Sequence, residues 1–154
     1  MKHVIIEGPD GAGKTTLAQQ FVKSGLKYHH EGPPPAGCSV FDHYMSFLDR
    51  CDAAGVGMVL DRFHIGEIVY GSILRGSSGI TVEQAMVISS RVDRIILCLP
   101  PWPVCYGNTR NRPELIKDDE ILRVAFDVWH LVSNNPDLML KATTYDYTKG
   151  PYVP

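Results

Sequence analysis

The sequence carries no large excess of charge of either sign. Its 154 residues include 15 Lys and Arg and 17 Asp and Glu, which gives a formal net charge of −2 at pH 7. This balance argues against a protein that binds nucleic acid through an overall basic surface, while it leaves room for a local basic patch. No apolar run approaches the length of a membrane span. We therefore expect no membrane partner.

Cysteine is scarce and unpatterned. Among Cys38, Cys51, Cys98 and Cys105, no pair has the C-x-x-C spacing that is typical of zinc or redox sites. We expect reduced thiols in a cytoplasmic protein. The chain enters an apolar stretch at its third residue, so we expect no signal peptide. A chain of 154 residues can bury one full core, and we expect a single domain over residues 1–154.

The most informative stretch lies close to the start. An apolar run over residues 3–7 leads into the pattern G-x-x-x-x-G-K-[ST], which Gly8, Gly13, Lys14 and Thr15 satisfy in full. Glycines let the backbone curl so that successive N–H groups point at one anion, and a helix beginning near Lys14 adds its positive N-terminal end. In such loops the lysine reaches the β- and γ-phosphates and the hydroxyl ligates Mg²⁺. The sequence thus predicts a site for ATP and magnesium.

A dinucleotide-binding loop is the competing interpretation of these glycines. Its pattern G-x-G-x-x-G begins with Gly11 and Gly13, but Thr16 stands where the third glycine is required. We therefore favour the phosphate loop. The residues of this loop that we expect to bind ATP are Gly8, Asp10, Gly11, Ala12, Gly13, Lys14, Thr15 and Thr16.

Segments typical of strands and helices alternate along the chain. We predict strands at residues 3–7, 26–30, 58–60, 94–99 and 138–147, and helices at 14–24, 39–54, 65–74, 81–92 and 117–133. Residues 102–113 are expected to be irregular. The alternation predicts a three-layer α/β fold, and together with the phosphate loop it indicates a P-loop NTPase. Its central parallel sheet would have about five strands, with helices on both faces.

Two further segments lie at predicted strand ends, where ligands bind in open parallel sheets. Asp61 and Arg62 follow the apolar residues 58–60. Asp61 with Thr15 is the predicted magnesium pair, and the Arg62 guanidinium suits a phosphate. Plainer interpretations, an ordinary acid and a surface ion pair, stay open. The proline-rich residues 31–37 form a stiff loop that is either a connector or the wall of a substrate pocket.

Phosphoryl transfer needs positioning and neutralisation of charge more than covalent chemistry. Arg110 and Arg112 lie in a short lid-like segment at about residues 102–116. They could close over the γ-phosphate, or they could belong to a solvated basic loop. Asp10, inside the phosphate loop, would repel a polyphosphate, so we expect it to contact the acceptor. The predicted catalytic residues are Lys14, Asp61, Arg62, Asp10, Arg110 and Arg112.

Two of these motifs resemble those of thymidylate kinases. They are residues 7–16 and the triplet at residues 61–63, which together cover about the first half of the chain. The resemblance implies a P-loop fold of the nucleoside and nucleotide kinase type. It also implies that the phosphate loop holds ATP and magnesium, that Asp10 approaches the sugar of the acceptor and that Arg62 holds the acceptor nucleotide. From the order of elements it also implies that Lys149, after the last strand, borders the adenine.

The chain is shorter than ordinary thymidylate kinases and looks closer to small phage-encoded kinases. Some of these phosphorylate nucleotides during synthesis of modified phage DNA, and others phosphorylate 5-hydroxymethyluracil within DNA. The resemblance implies transfer of the γ-phosphoryl group to a pyrimidine deoxynucleotide. The preferred acceptor is 5-hydroxymethyluracil in DNA, and a free deoxynucleoside monophosphate is the alternative, with a nucleoside a more remote one. The reaction would take place in the host cytoplasm if a phage encodes the protein.

A hydroxyl acceptor would also need a base, for which Asp61 and Asp10 are candidates. The expected partners are therefore ATP and a nucleotide or DNA acceptor, and a homodimer is compatible with the sequence. A nucleotide switch is the alternative from another class. Switch GTPases need Asp-x-x-Gly after the third strand and Asn-Lys-x-Asp for guanine, but Asp61 is followed by Arg-Phe-His and the second motif does not occur. The sequence therefore favours a kinase.

Overall fold

The computed structural model describes residues 2–111 and 116–153. Their strands are β1 (His3–Glu7), β2 (Lys27–His30), β3 (Met58–Asp61), β4 (Arg94–Cys98) and β5 (Ala142–Tyr145). Their α-helices are α1 (Lys14–Lys23), α2 (Val40–Ala53), α3 (His64–Arg75), α4 (Val82–Ser90), α5 (Trp102–Arg110) and α6 (Asp119–Ser133). A short 3-10 helix, Tyr147–Lys149, follows the last strand.

The five strands form one parallel sheet in the order β2-β3-β1-β4-β5. Strand β1 is central, and its Ile6 pairs with Asp61 of β3. Because both strands run the same way, the phosphate loop after β1 and the Asp61-Arg62 turn after β3 emerge at the same edge of the sheet. The prediction of an α/β fold with a parallel sheet of about five strands is confirmed.

Helices cover both faces of the sheet. Successive side chains of a strand point to opposite faces, so strands that are buried along their whole length need a cover on each side. On β1, Val4 and Ile6 face a core that includes Leu17 and Phe21 of α1. Ile5 faces the opposite core, which is built largely from α2, α3, α4 and α6. Within the two described ranges, no helix is both long and apolar enough to cross a membrane.

The expectation that residues 102–113 are irregular is wrong over most of its length. Helix α5 occupies Trp102–Arg110, and Pro103 lies in its first turn, where a missing N–H removes no helical hydrogen bond. Cys105 and Thr109 are buried on one side of α5, and the packing of that side outweighs the low helix propensity of the glycine and asparagine between them. Arg112 lies outside the described residues.

The last strand is shorter than the predicted 138–147. Asn135 Oδ1 accepts hydrogen bonds from the backbone N–H groups of Asp137 and Leu138, at 3.0 and 3.2 Å, and so closes a turn in place of a strand. Lys141 then adopts a left-handed backbone conformation with φ of 61°. Leu138 is buried although it lies in this turn. Its apolar side chain therefore made the segment resemble the start of a strand.

Candidate active site

The phosphate loop joins β1 to α1 and packs against α5. Gly11 and Gly13 both have positive φ, at 75° and 81°, a conformation that residues with a Cβ rarely adopt. Gly13 is the N-cap of α1 and offers no side chain to its first-turn N–H groups. The side-chain amide of Asn108, on α5, donates a hydrogen bond to the carbonyl oxygen of Gly11 at 2.8 Å. The loop is thus shaped for an anion, with its outer wall supplied by α5.

Lys14 lies folded against this loop. Its side chain donates to the carbonyl oxygens of Gly8 and Pro9 at 3.0 and 2.6 Å. Burial lowers the pKa of Lys14, and the positive charge of Arg62 lowers it further, while Asp10 and Asp61 act in the opposite direction. A polyphosphate in the loop would compensate this buried ammonium more strongly than the two carbonyls do.

Thr15 and Asp61 form a pair of oxygen donors. Thr15 Oγ1 donates to Asp61 Oδ2 at 2.6 Å, and the hydroxyl of Tyr28 on β2 donates to the same oxygen at 2.9 Å. The other oxygen, Asp61 Oδ1, is buried and has no hydrogen-bond partner among the described residues. His30 Nδ1 lies 3.7 Å from Oδ2. Burial, and the hydrogen bond to Asp61, raise the pKa of Tyr28 to about 12, so Tyr28 keeps its proton.

This pair fits magnesium. Mg²⁺ prefers oxygen ligands and is usually held by one or two carboxylates together with water and substrate phosphates, without a full protein cage. Asp61 and Thr15 supply such a partial set, and the unpartnered Oδ1 is the atom that a cation would compensate. The described residues contain no group of three or more His, Cys, Asp or Glu arranged to hold a metal.

Arg62 and Asp10 form an ion pair between the β3 turn and the phosphate loop. Arg62 has a positive φ of 68°, a conformation that costs a non-glycine residue roughly 1–2 kcal/mol. Its backbone N–H donates to the carbonyl of Ile6 at 2.9 Å. Arg62 Nε and Asp10 Oδ2 are buried without hydrogen-bond partners in the described structure. A strained backbone that presents unpartnered polar atoms indicates a functional site.

Glu7 holds this turn in place from the end of β1. Its Oε1 accepts three backbone hydrogen bonds, from Phe63, Ile65 and Gly66, at 3.0, 3.0 and 3.1 Å. These N–H groups belong to the start of α3, so Glu7 caps that helix from another strand. Burial raises the pKa of Glu7 to about 7, although the three backbone hydrogen bonds and the positive charge of Lys14 lower it.

One pocket of about 360 Å³ is lined by the phosphate loop and by the turn after β3. Its volume lies in the range of small-molecule sites. Of the predicted site residues, it is lined by Asp10, Gly11, Ala12, Gly13, Lys14, Thr15, Asp61 and Arg62. Pro33 and Pro34 also line it, which favours the interpretation of the proline-rich loop as a pocket wall.

Other predicted residues lie away from the lining. Arg110 is the last residue of α5, is exposed and contacts Tyr106 and Asp119. Lys149 is exposed and lies 3.8 Å from Asp146. Thr16 is exposed on α1, and Gly8 lies beneath the loop against the backbone of Cys98.

The pocket also contains charged residues that the sequence pattern did not indicate. Glu31 pairs with His29 and His43 at 2.7 and 3.0 Å. Glu67 pairs with Arg75, which folds back along α3. No spacing rule identifies these residues, because the fold alone brings them to the same pocket.

Comparisons with models of protein families and with curated proteins found no match. Solved structures do match over nearly the whole chain. The YorR protein from Bacillus subtilis, in complex with phosphorylated GDP, has a TM-score of 0.78 and 18% identity, over 96% of this chain and 87% of that chain. The chain has the fold of P-loop nucleotide kinases.

Two other solved structures share this fold with the chain. A deoxyadenosine kinase from M. mycoides with bound dCTP has a TM-score of 0.61 and 12% identity, over 95% of this chain and 90% of that one. A thymidylate kinase from Ehrlichia chaffeensis has a TM-score of 0.51 and 13% identity, over 94% and 88%. At such low identities the similarity establishes the fold, and the activity has to be argued from the pocket.

Proposed function

We propose that the chain is a kinase that transfers the γ-phosphoryl group of ATP, with magnesium, to a pyrimidine deoxynucleotide. The observation that carries the proposal is that one pocket contains two half-sites. Lys14 and the Thr15–Asp61 pair form the first, and the Arg62–Asp10 pair forms the second. Phosphoryl transfer requires two substrates held in line next to each other, and adjacent half-sites provide this arrangement.

The first half-site is the donor side. The backbone of the phosphate loop and Lys14 would hold the β- and γ-phosphates, and Thr15 and Asp61 would hold magnesium, which neutralises charge on the transferred group. Gly13 lies close to the ring of Tyr147, since a Cβ added there would be 3.1 Å from Tyr147 Cε1. The loop after β5 therefore borders the phosphate loop, in keeping with the prediction that Lys149 lies near the adenine.

The lid remains a prediction of the proposal. Helix α5, which is the described part of the predicted lid at about residues 102–116, touches the phosphate loop through Asn108 and so lies next to the donor site. Arg110 pairs with Asp119 and would have to leave that carboxylate to approach a γ-phosphate.

The second half-site is the acceptor side. Arg62 is mostly buried and lies over the ring of Tyr70, with its guanidinium carbon 5.7 Å from the ring centroid. Its planar donors suit an acceptor phosphate, and Asp10 fixes their orientation. A phosphate acceptor arrives already ionised, because the second pKa of a phosphate monoester is about 6. Such an acceptor needs no protein base.

A free deoxynucleoside monophosphate is the acceptor that this geometry supports best, because the pocket has the size of a small-molecule site and the net charge of −2 disfavours a long polyanion. The second candidate is 5-hydroxymethyluracil in DNA. It is favoured by His30, a proton acceptor in the pocket beside Asp61, which a hydroxyl acceptor would use and a phosphate would not.

The test offers labelled γ-phosphate from ATP with magnesium to wild-type protein. The acceptors are the free deoxynucleoside monophosphates, the nucleosides and a DNA duplex that contains 5-hydroxymethyluracil. Label in a free pyrimidine monophosphate is the expected result. Label in the duplex alone would replace this acceptor with the second candidate. No transfer to any of these acceptors would contradict the proposed function.

A further inference from the structure

Asn108 joins the phosphate loop to two other parts of the fold. It lies on α5, and its side-chain N–H₂ group donates to the carbonyl oxygen of Gly11 at 2.8 Å and to the hydroxyl of Tyr147 at 3.0 Å. Tyr147 belongs to the 3-10 helix after β5. Because a carbonyl oxygen can only accept, the amide nitrogen of Asn108 has to face Gly11. One side chain thus connects three segments of the chain.

The hydrogen bond to Gly11 holds one end of a peptide group whose other end is also held. In a trans peptide the C=O and the following N–H point in opposite directions. The N–H that follows the Gly11 carbonyl belongs to Ala12, and it donates to the carbonyl oxygen of Pro9 at 3.3 Å. The peptide plane between Gly11 and Ala12 is therefore held from α5 by Asn108 and from within the loop by Pro9.

The peptide planes on either side of this one carry N–H groups that are available to an anion. The backbone N–H groups of Gly11 and Gly13 donate to no other residue of the two described ranges. Because these N–H groups lie on the direct neighbours of the held plane, its orientation decides where both of them point. A hydrogen bond from α5 thereby controls the donors that a phosphate would meet.

Both glycines also pack against the segments that Asn108 joins. A Cβ at Gly11 would lie 2.2 Å from the carbonyl oxygen of Cys105 on α5, and a Cβ at Gly13 would lie 3.1 Å from Tyr147 Cε1. The only side chain that links these two contacts by hydrogen bonds, among the residues that the structure describes, is Asn108. Its arrangement serves the loop, because a bond that only stabilised α5 would not leave the helix.

We propose that Asn108 is a positioning residue for ATP, an inference that rests on the donor side of the proposed function. By holding the peptide between Gly11 and Ala12, Asn108 keeps the N–H groups of the loop in place before ATP arrives. Binding then does not have to order the loop, which increases the affinity. Tyr147 acts through Asn108, since its hydroxyl accepts the second N–H and its ring packs on Gly13.

The test measures the Kd of a non-hydrolysable ATP analogue with magnesium by calorimetry, and the KM values of ATP and of the acceptor in the transfer assay. Asn108→Ala should raise the Kd and the KM for ATP by about tenfold and change the acceptor KM by less than about twofold. Alanine has the higher helix propensity, so α5 should stay folded. Tyr147→Phe keeps the ring and should raise the Kd by about threefold, but should add nothing in the Asn108→Ala background.

Asn111→Ala is the matched control on the same helix. Asn111 is exposed, is the C-cap of α5 and donates to the carbonyl of Gly107 within that helix. Its replacement should leave the Kd unchanged. Wild-type affinity in Asn108→Ala would overturn the inference, as would equal effects of Asn108→Ala and Asn111→Ala, or additive effects of Asn108→Ala and Tyr147→Phe.

The two measurements separate this inference from the proposed function. A wild type that binds the ATP analogue but transfers phosphate to none of the acceptors would overturn the proposed function, while the Kd values of the Asn108 and Tyr147 variants would still decide the inference. A wild type that does not bind the analogue would overturn both.

Discussion

Thr15 Oγ1 donates a hydrogen bond to Asp61 Oδ2 over 2.6 Å, although 46 residues separate the two in the chain. The contact joins the first turn of α1 to the end of β3. The parallel pairing of Ile6 with Asp61 produces it, because that register brings the end of β3 beside the phosphate loop. The contact between the two predicted magnesium ligands is therefore a direct consequence of the sheet topology.

Replacement of Asp61 by Asn tests the metal role of this pair. The amide keeps the shape of the carboxylate but loses the charge that a magnesium ion requires. We expect the rate of phosphoryl transfer to fall by about 100-fold or more and the magnesium concentration for half-maximal rate to rise. Tyr28→Phe, which removes one hydrogen bond to Asp61 Oδ2, should cost less than about tenfold. An Asp61→Asn protein with wild-type magnesium dependence would contradict the assignment.

Glu7 and His64 should give opposite dependences of stability on pH. Burial raises the pKa of Glu7 from 4.5 to about 7, so folding binds a proton between these values. The free energy of unfolding then decreases as pH rises from 4.5 to 7. Burial lowers the pKa of His64 from 6.5 to about 3, so its contribution decreases as pH falls below 6.5. Each slope is at most about 1.4 kcal/mol per pH unit.

The two contributions oppose each other between pH 4.5 and 6.5, so single variants are needed to separate them. Relative to wild type, Glu7→Gln should gain stability as pH rises from 4.5 to 7, and His64→Gln should gain stability as pH falls below 6.5. Urea unfolding at several pH values measures both differences. Variants whose stability runs parallel to that of wild type at all pH values would contradict the burial argument.

Gly11→Ala should destabilise the protein more than Gly25→Ala. Both glycines have positive φ, which costs an alanine roughly 1 kcal/mol. At Gly25 nothing lies within 4 Å of an added Cβ, whereas at Gly11 the Cβ would meet the backbone of Cys105 and the Asn108 side chain. Urea unfolding should show the larger loss for Gly11→Ala. Equal losses would show that α5 does not pack on the loop as described.

Arg110 tests the lid prediction. If it moves to the γ-phosphate, Arg110→Ala should lower kcat by at least about tenfold. Asp119→Ala frees Arg110 from its ion pair and should leave kcat unchanged or higher. Steady-state kinetics of the two variants provide the comparison, and thermal unfolding should show both folded as in wild type. Equal effects of the two substitutions would favour a solvated basic helix end over a lid residue.

Local patterns predicted the residues whose roles depend on one turn or one strand end. Gly13 and Lys14 follow from the phosphate-loop pattern, and the helix predicted at 81–92 is found as α4, whose N-cap Thr81 forms a capping box with Gln84. Asp61 was predicted because it follows a buried strand. These signals are contained in a few consecutive residues.

Features that depend on tertiary contacts escaped prediction. Arg75 reaches Glu67 over eight residues, beyond the three- and four-residue spacings that place helix side chains together. Tyr28 reaches Asp61 from a neighbouring strand. Helix α5 was missed because burial of Cys105 against the phosphate loop outweighs its weak propensity.

Lys14 provides the most direct test of the central claim, that this pocket transfers phosphate from ATP. Transfer of labelled γ-phosphate, with magnesium, should be measured for Lys14→Ala and for Lys23→Ala, which changes an exposed lysine on the same helix. We predict a loss of about 100-fold or more for Lys14→Ala and activity within twofold of wild type for Lys23→Ala. Full activity in Lys14→Ala would contradict the account.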